Sequence, residues 1–237
     1  MNNLPTRTLL ITGLDNENQV EKFISMQSQD SILETYRVPK TCLLFITFFD
    51  IRNSIDLLKN LNLLKDQFPN LNIFYTISKN ELPSNEDECK EKNNQASVIV
   101  QYKNFNLSSD KIYDLASTCG EIRECRMDKV GQKIYEYFNI KAAKIALNEL
   151  NLADFEGGNV KTKPVWDIMP NQKATILNRT DQIIKEELDK KQINLNESIK
   201  RIKTSKSKNI FIDQFDEFII NNLSQIERLI FKNKKSK

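Results

Sequence analysis

One order of strands and helices occurs twice along this chain, and this internal repeat constrains the fold more than any other feature. In residues 6–79 the hydrophobic pattern predicts strand, helix, two strands, helix and strand. Residues 96–166 show the same order about 90 residues later. Because a β-α-β-β-α-β order forms a sheet with its helices on one side, the sequence predicts two tandem α+β domains of the split βαβ class.

The residues outside the two copies differ from them in composition. Residues 80–95 are polar, contain Pro83 and the acidic run 86–88, and are predicted to form a linker. Residues 167–237 form a basic extension that we expect to be helical and partly disordered. Within it, Phe211–Ile230 carries apolar residues at helical spacing. This stripe predicts a packing helix that covers a sheet face or docks on a protein partner.

The residue types that many enzymes depend on are missing or rare. The chain has no histidine, which removes His-dependent acid–base catalysis and nearly all zinc and haem sites. It has 5 glycines and neither of the Gly-rich motifs that hold phosphates. The acidic run in the linker lacks the rigid scaffold that metal-assisted hydrolysis needs. We therefore expect no enzymatic activity, no catalytic or metal-binding residue and no cofactor.

The cysteines and the start of the chain indicate an intracellular protein, nuclear or cytoplasmic. None of the cysteines forms a C-x-x-C pair, so reduced thiols are expected rather than a disulfide framework. Residues 1–7 are polar and unlike a secretory signal. The longest apolar run, Cys42–Phe49, is too short to span a bilayer, so no membrane segment is expected.

The charge is distributed unevenly along the chain. Residues 1–166 hold 20 Lys and Arg against 22 Asp and Glu, whereas residues 167–237 hold 15 against 10. The basic excess therefore lies in the extension, where residues 200–208 and 232–237 could contact phosphates or serve as nuclear-import signals. A body with a net charge of −2 cannot bind a polyanion by electrostatics alone.

Several stretches of the sequence resemble one known family. They are the octapeptide Thr41–Phe48, the junction Phe48–Arg52, the strand Leu71–Lys79 with Pro83-Ser84 after it, the turn Gly120–Glu124 and the stretch Lys133–Ala143. These stretches resemble RNA-recognition motifs (RRMs), and more specifically those of the Mei-two-like family of meiosis and development regulators. The resemblance covers residues 6–166. It implies two ferredoxin-like RRM domains, the second degenerate, with single-stranded RNA, such as mRNA, as the partner. Members typically carry a third, C-terminal RRM, for which we expect no room here.

In an RRM, side chains on the outward face of the sheet stack on bases of single-stranded RNA. Alternation along the third strand places Leu44, Ile46 and Phe48 towards the helices and the residues between them outward. The first unit then offers Phe45 and Phe74 as a stacking platform. The predicted RNA-contacting residues of this face are Leu10, Thr12, Tyr36, Leu43, Phe45 and Phe74. The alternative is an apolar face covered by protein, for example by the tail helix.

The second unit has fewer aromatic side chains at the outward sites. Tyr135 and Tyr137 fall on the helix side, where they are predicted to be core residues. The predicted RNA-contacting residues of this unit are Ile99, Gln101, Ile134, Lys161 and Lys163, of which the two lysines could meet phosphates. The alternative is a degenerate RRM that packs against a protein.

Two functions follow from these patterns. The leading hypothesis is a non-catalytic RNA-binding protein that captures single-stranded RNA on its sheet surfaces and regulates gene expression. The alternative is a protein–protein interaction scaffold that uses degenerate RRM folds and the Phe-rich helix 211–230. The number of aromatic side chains on the sheet faces does not separate the two.

Overall fold

The computed structural model describes residues 4–38, 41–81, 89–90, 93–103, 109–129, 131–152, 154–155 and 158–201 of the 237. The first copy of the repeat contains β1 (Thr8–Thr12), α1 (Glu17–Ser25), β2 (Ile32–Val38), β3 (Leu43–Phe48), α2 (Ile51–Lys59), α3 (Leu61–Leu64) and β4 (Asn72–Thr76). The second contains β5 (Ser97–Lys103), α4 (Ser109–Thr118), β6 (Ile122–Lys129), β7 (Gln132–Tyr137), α5 (Ile140–Leu152), β8 (Asp154–Phe155) and β9 (Gly158–Val165). A helix of 32 residues, α6 (Pro170–Arg201), follows. This order confirms the predicted tandem α+β fold.

The chain divides into two compact units whose limits differ from those of the repeat. The first unit combines the chain up to Phe48 with Ser54–Ser78 and the segment that starts at Pro170. The second combines Phe49–Asn53 with Lys79–Met169. Helix α6, which lies in the predicted extension 167–237, is therefore part of the first unit rather than a separate appendage.

The sheet of the first unit has the strand order β2-β3-β1-β4, and all neighbours are antiparallel. Its core lies between one sheet face and helices α1 and α2. This core includes Leu9, Ile11, Val20, Phe23, Leu44, Ile46, Phe48, Leu57, Phe68 and Ile73. The strand residues in that list are those that the alternation predicts on the helix side.

Two helices begin at side-chain caps. The Asp50 carboxylate accepts a hydrogen bond from the backbone N–H of Arg52 at 2.9 Å. The Asn139 side chain accepts one from the backbone N–H of Lys141, also at 2.9 Å. Such oxygens satisfy backbone donors that have no partner inside the helix, which is why Asp and Asn mark helix starts.

The sheet of the second unit has the order β6-β7-β5-β9-β8, with β8 as a short extra strand that the sequence did not predict. Tyr135 and Tyr137 are fully buried, which confirms their prediction as core residues. Residue Thr162 of β9 also faces the helices, because its hydroxyl donates to the carbonyl of Leu147 on α5 at 3.0 Å. The other face of this sheet carries the side chains that alternate with these.

The two ends of the predicted linker 80–95 are close together. The backbone N–H of Asn94 donates to the carbonyl of Asn80 at 3.3 Å, and the Asn93 amide donates to the same oxygen at 3.2 Å. Asn93, Asn94 and Gln95 are buried, so this end of the segment belongs to the fold of the second unit. The acidic run 86–88 lies outside the described residues.

Two further expectations can be compared with the structure. None of the four cysteines forms a disulfide bond. Among the described residues, no helix combines the length and the apolar character needed to cross a bilayer.

Candidate nucleic-acid interface

One row of side chains crosses all four strands of the first sheet, on the face away from α1 and α2. Tyr36 on β2 pairs with Phe45 on β3, Phe45 pairs with Leu10 on β1, and Leu10 pairs with Phe74 on β4. The Tyr36 and Phe45 ring centroids are 6.0 Å apart. The register therefore brings four of the predicted RNA-contacting residues into one line, which we call the aromatic row.

Helix α6 covers most of the aromatic row. Ile184 of α6 is fully buried in a cluster with Leu10, Leu43 and Phe45. Leu10 is 0% exposed and Phe45 is 8% exposed, whereas Tyr36 at the sheet edge keeps 42% of its surface. The side of the sheet is as predicted, but the expected open platform is absent because the C-terminal helix occupies it.

Polar contacts also join α6 to the first sheet. The hydroxyl oxygens of Thr76 on β4 and Thr180 on α6 are 2.8 Å apart. Because the Thr180 hydroxyl donates to the carbonyl of Ile176, Thr76 is the donor between the two threonines. The Arg179 guanidinium lies 6.0 Å from the centroid of the Phe74 ring. Thr12, another predicted contact residue, is also fully buried in this unit.

The covering helix is not the one that the sequence proposed for this role. The predicted candidate, Phe211–Ile230, lies outside the described residues. The cover comes from α6, whose apolar positions Ile183, Ile184 and Leu188 are visible in the sequence as a sparse repeat. That repeat indicates an amphipathic helix but does not say which apolar face it will meet.

A different row crosses the second sheet on the face away from its helices, and we call it the basic row. Arg126 on β6 pairs with Ile134 on β7, Ile134 pairs with Ile99 on β5, and Ile99 pairs with Lys163 on β9. In the next row Gln101 pairs with Lys161. All five residues predicted for this unit are therefore brought together on one face.

This second face is more accessible than the first. Ile99, Gln101 and Ile134 are half-buried, and Lys161 and Lys163 are exposed. Since Thr162 between the two lysines binds α5, both lysines extend from the opposite side of the sheet. Bases and phosphates could approach this face without displacing any described element of the second unit.

The electrostatics of the second face favour an anion. Within the part of the chain that the structure describes, neither Lys161 nor Lys163 has an ion-pair partner. Glu136 on β7 is neutralised by Arg123, with Nη1 and Oε1 2.7 Å apart. The Arg126 Nε is buried without a hydrogen-bond acceptor among the described residues, and its ion-pair partner Glu124 is at 3.9 Å from Nε to Oε1.

Sequence reasoning missed one residue of this face. Trp166 follows β9 directly and lines a concavity of about 370 Å³ together with Ile99, Gln101 and Lys163. It is the one tryptophan of the chain, and it comes three residues after an outward lysine. These two facts could have identified Trp166 from the sequence as a residue of this face.

Sequence relatives match about two thirds of this chain. No family model matches the chain. It is 26% identical over 164 residues to "Protein MEI2-like 2" of Oryza sativa subsp. japonica. The aligned region covers 68% of this chain and 19% of that protein. It is 25% identical over 166 residues to "Protein MEI2-like 5" of Arabidopsis thaliana. The aligned region covers 68% of this chain and 20% of that protein. The chain has a tandem RRM fold and is similar in sequence to the MEI2-like proteins.

This chain spans about one fifth of the length of these curated relatives. Solved structures that are similar to it include the Rna15 RRM with bound RNA (GU), at 18% identity and a TM-score of 0.28. That match covers 33% of this chain and 93% of the other. A Sxl-lethal protein/RNA complex matches at 18% identity and a TM-score of 0.27, and covers 67% of this chain and 99% of the other.

Proposed function

We propose that this chain binds single-stranded RNA without catalysis, and that the resting binding surface is the open sheet face of the second RRM. The observation that carries the proposal is the basic row. It places two cations, Arg126 and Lys163, at either side of two half-buried isoleucines across four strands. The similarity to the MEI2-like proteins supports the same function.

This arrangement suits a flexible polyanion with apolar bases. Cations on the outer strands can hold phosphates and release their counterions. The Ile99 and Ile134 side chains give the bases an apolar surface, although a smaller one than the aromatic rings of a typical RRM. We therefore expect modest affinity with a strong dependence on salt.

The test is a titration of the full chain with a labelled pool of mixed-sequence single-stranded RNA, at several salt concentrations. Each lost phosphate contact lowers the slope of log affinity against log salt by about 0.7 for single strands. We expect Lys161→Ala/Lys163→Ala to weaken binding and to reduce that slope by about 1.4. Lys144→Ala, which removes an exposed lysine from α5 on the helix side, is the matched control and should leave both quantities unchanged.

Two results would contradict the proposal. One is the absence of binding at RNA concentrations of tens of micromolar with the fold intact. The other is an equal loss of affinity in the Lys144→Ala control, because binding would then not depend on this face.

The finer parts of the hypothesis rest on the resemblance alone. We propose that the RNA is mRNA, that the chain acts inside the cell, in the nucleus or cytoplasm, and that it regulates gene expression. Crosslinking of the tagged chain to RNA in living cells, followed by sequencing, tests the first point. Recovery of mRNA no better than with the Lys161→Ala/Lys163→Ala variant would contradict it.

A second candidate function, a protein-interaction scaffold, is favoured by one observation. The first sheet face accommodates an α-helix, as its contact with α6 demonstrates. A helix of another protein with a similar apolar stripe could compete for that face. If the RNA titration fails with a folded chain, this candidate becomes the better one.

A further inference from the structure

The concavity beside the basic row has the size and chemistry of a small ligand site. Its volume is about 370 Å³, at the lower end of the range of about 300–1,000 Å³ that is common for ligand pockets. Trp166 and Ile99 provide apolar surface, Gln101 provides an amide that can both donate and accept, and Lys163 provides a positive charge. This combination fits a flat, polar-edged and negatively charged group better than a purely apolar one.

Trp166 is held in place by hydrogen bonds next to it in the chain. The Asp167 carboxylate accepts from the backbone N–H of Ala96, at 3.0 Å to Oδ1 and 3.1 Å to Oδ2. In return the Gln95 side-chain oxygen accepts from the backbone N–H of Asp167 at 2.8 Å. Gln95 and Ala96 are buried. This reciprocal pair fixes the backbone that carries Trp166, so that little conformational entropy is lost when a ligand binds.

The neighbouring strand residues are fixed as well. Residues Ile99 and Lys163 are direct partners in the register of β5 and β9, and Gln101 pairs with Lys161. The indole, the amide and the ammonium group therefore come from two paired strands and their immediate continuation. A site on paired strands keeps its geometry better than one on a loop.

We propose that this concavity is a subsite for one nucleobase of single-stranded RNA. The base stacks on the indole of Trp166, its edge meets the Gln101 amide, and its phosphate lies against Lys163. This inference rests on the proposed RNA binding and adds the place where a base is held. It also supplies the aromatic surface that the basic row itself lacks.

The unique tryptophan makes the subsite directly observable. The full chain is titrated with a labelled single-stranded RNA pool of about ten nucleotides, and two signals are recorded. The anisotropy of the RNA label reports binding anywhere on the chain, whereas the intrinsic fluorescence reports on Trp166. We expect the tryptophan fluorescence to be quenched in parallel with the rise in anisotropy.

The two signals separate failure of the subsite from failure of the proposed function. A rise in anisotropy with unchanged tryptophan fluorescence would overturn the subsite while RNA binding stands. No rise in anisotropy would overturn both.

Variants provide a second line of evidence. We expect Trp166→Ala to weaken RNA binding about tenfold, because one base–aromatic stack is lost, and Trp166→Phe to keep most of the affinity. Tyr113→Ala removes an aromatic ring that is 43% exposed on α4 and serves as the matched control. Equal affinity of Trp166→Ala and the unaltered chain would overturn the subsite, and unfolding curves for each variant show whether the fold is retained.

Discussion

At the scale of single residues, two neighbouring core tyrosines have different surroundings. Tyr135 and Tyr137 are both fully buried on the helix side of β7, and burial raises the pKa of both phenols far above its ordinary value. The Tyr137 hydroxyl donates to the carbonyl of Ala116 at 2.9 Å. The Tyr135 hydroxyl is buried without an oxygen or nitrogen acceptor among the described residues, and it interacts with the Cys125 thiol, a weak partner. Strand alternation predicts that both side chains face inward, but it cannot tell which hydroxyl finds an acceptor.

This difference predicts opposite outcomes for the same substitution. We expect Tyr137→Phe to lower the free energy of unfolding by about 1 kcal/mol, because a buried hydrogen bond is lost, although the Ala116 carbonyl still accepts from the backbone N–H of Cys119 at 3.2 Å. Tyr135→Phe should leave stability unchanged or increase it, because it removes a buried hydroxyl whose interacting side chain is only the weakly polar Cys125 thiol. Urea unfolding of the two variants measures both values. A larger loss for Tyr135→Phe than for Tyr137→Phe would show that this hydrogen-bond assignment is wrong.

At the scale of secondary-structure elements, α6 determines what the first sheet can bind. Its residues Leu177, Thr180, Ile184 and Leu188 repeat every three or four positions, and Thr180 and Ile184 contact the sheet directly. The spacing in the sequence predicts a helix with one apolar side. The spacing could not predict which surface the helix packs on, because its apolar side could pack against any exposed apolar face. Helix starts depend on local signals instead, since Asp50 and Asn139 cap their helices through their own side chains.

Removing the buried anchor of α6 should destabilise this contact. We expect Ile184→Ala to lower the stability of the first unit by about 2–5 kcal/mol and to speed amide hydrogen exchange in α6. Glu186→Ala, which alters an exposed position of the same helix, should change stability by less than about 0.5 kcal/mol. Urea unfolding and hydrogen exchange provide the measurements. Similar effects of the two variants would mean that α6 is not held on the sheet in solution.

At the scale of the whole molecule, the two RRMs present different faces to a ligand. The aromatic row of the first is covered, and the basic row of the second is open. From the sequence, the first face was the stronger candidate for RNA binding. Sequence reasoning identifies the residue types on a strand, but it does not show which element packs over them. The side of the sheet on which each residue lies, and with it the five residues of the second face, were predictable from alternation. The cover over the first face, the exposure of the second and the role of Trp166 depend on tertiary packing.

Substitutions on the first face should therefore change mainly the free energy of unfolding, and substitutions on the second face mainly the affinity for RNA. We expect Phe45→Ala to cost about 3–5 kcal/mol of stability and to change RNA affinity by less than about twofold, since its ring lies beneath α6. Lys163→Ala should weaken RNA binding and change stability by less than about 0.5 kcal/mol. Unfolding curves and RNA titrations of both variants are compared under conditions where each is folded. If Phe45→Ala weakens binding about tenfold, the first face takes part and α6 must move aside for RNA.

The hydrogen bonds between Asp167 and Gln95-Ala96 have a consequence beyond the orientation of Trp166. They tie the point where the chain enters the second repeat copy to the point where it leaves. A module whose two ends meet can be inserted into another protein, or circularly permuted, with little disturbance of its host. We therefore expect the second copy to tolerate circular permutation, with new ends in an exposed loop and the old ends joined at this junction.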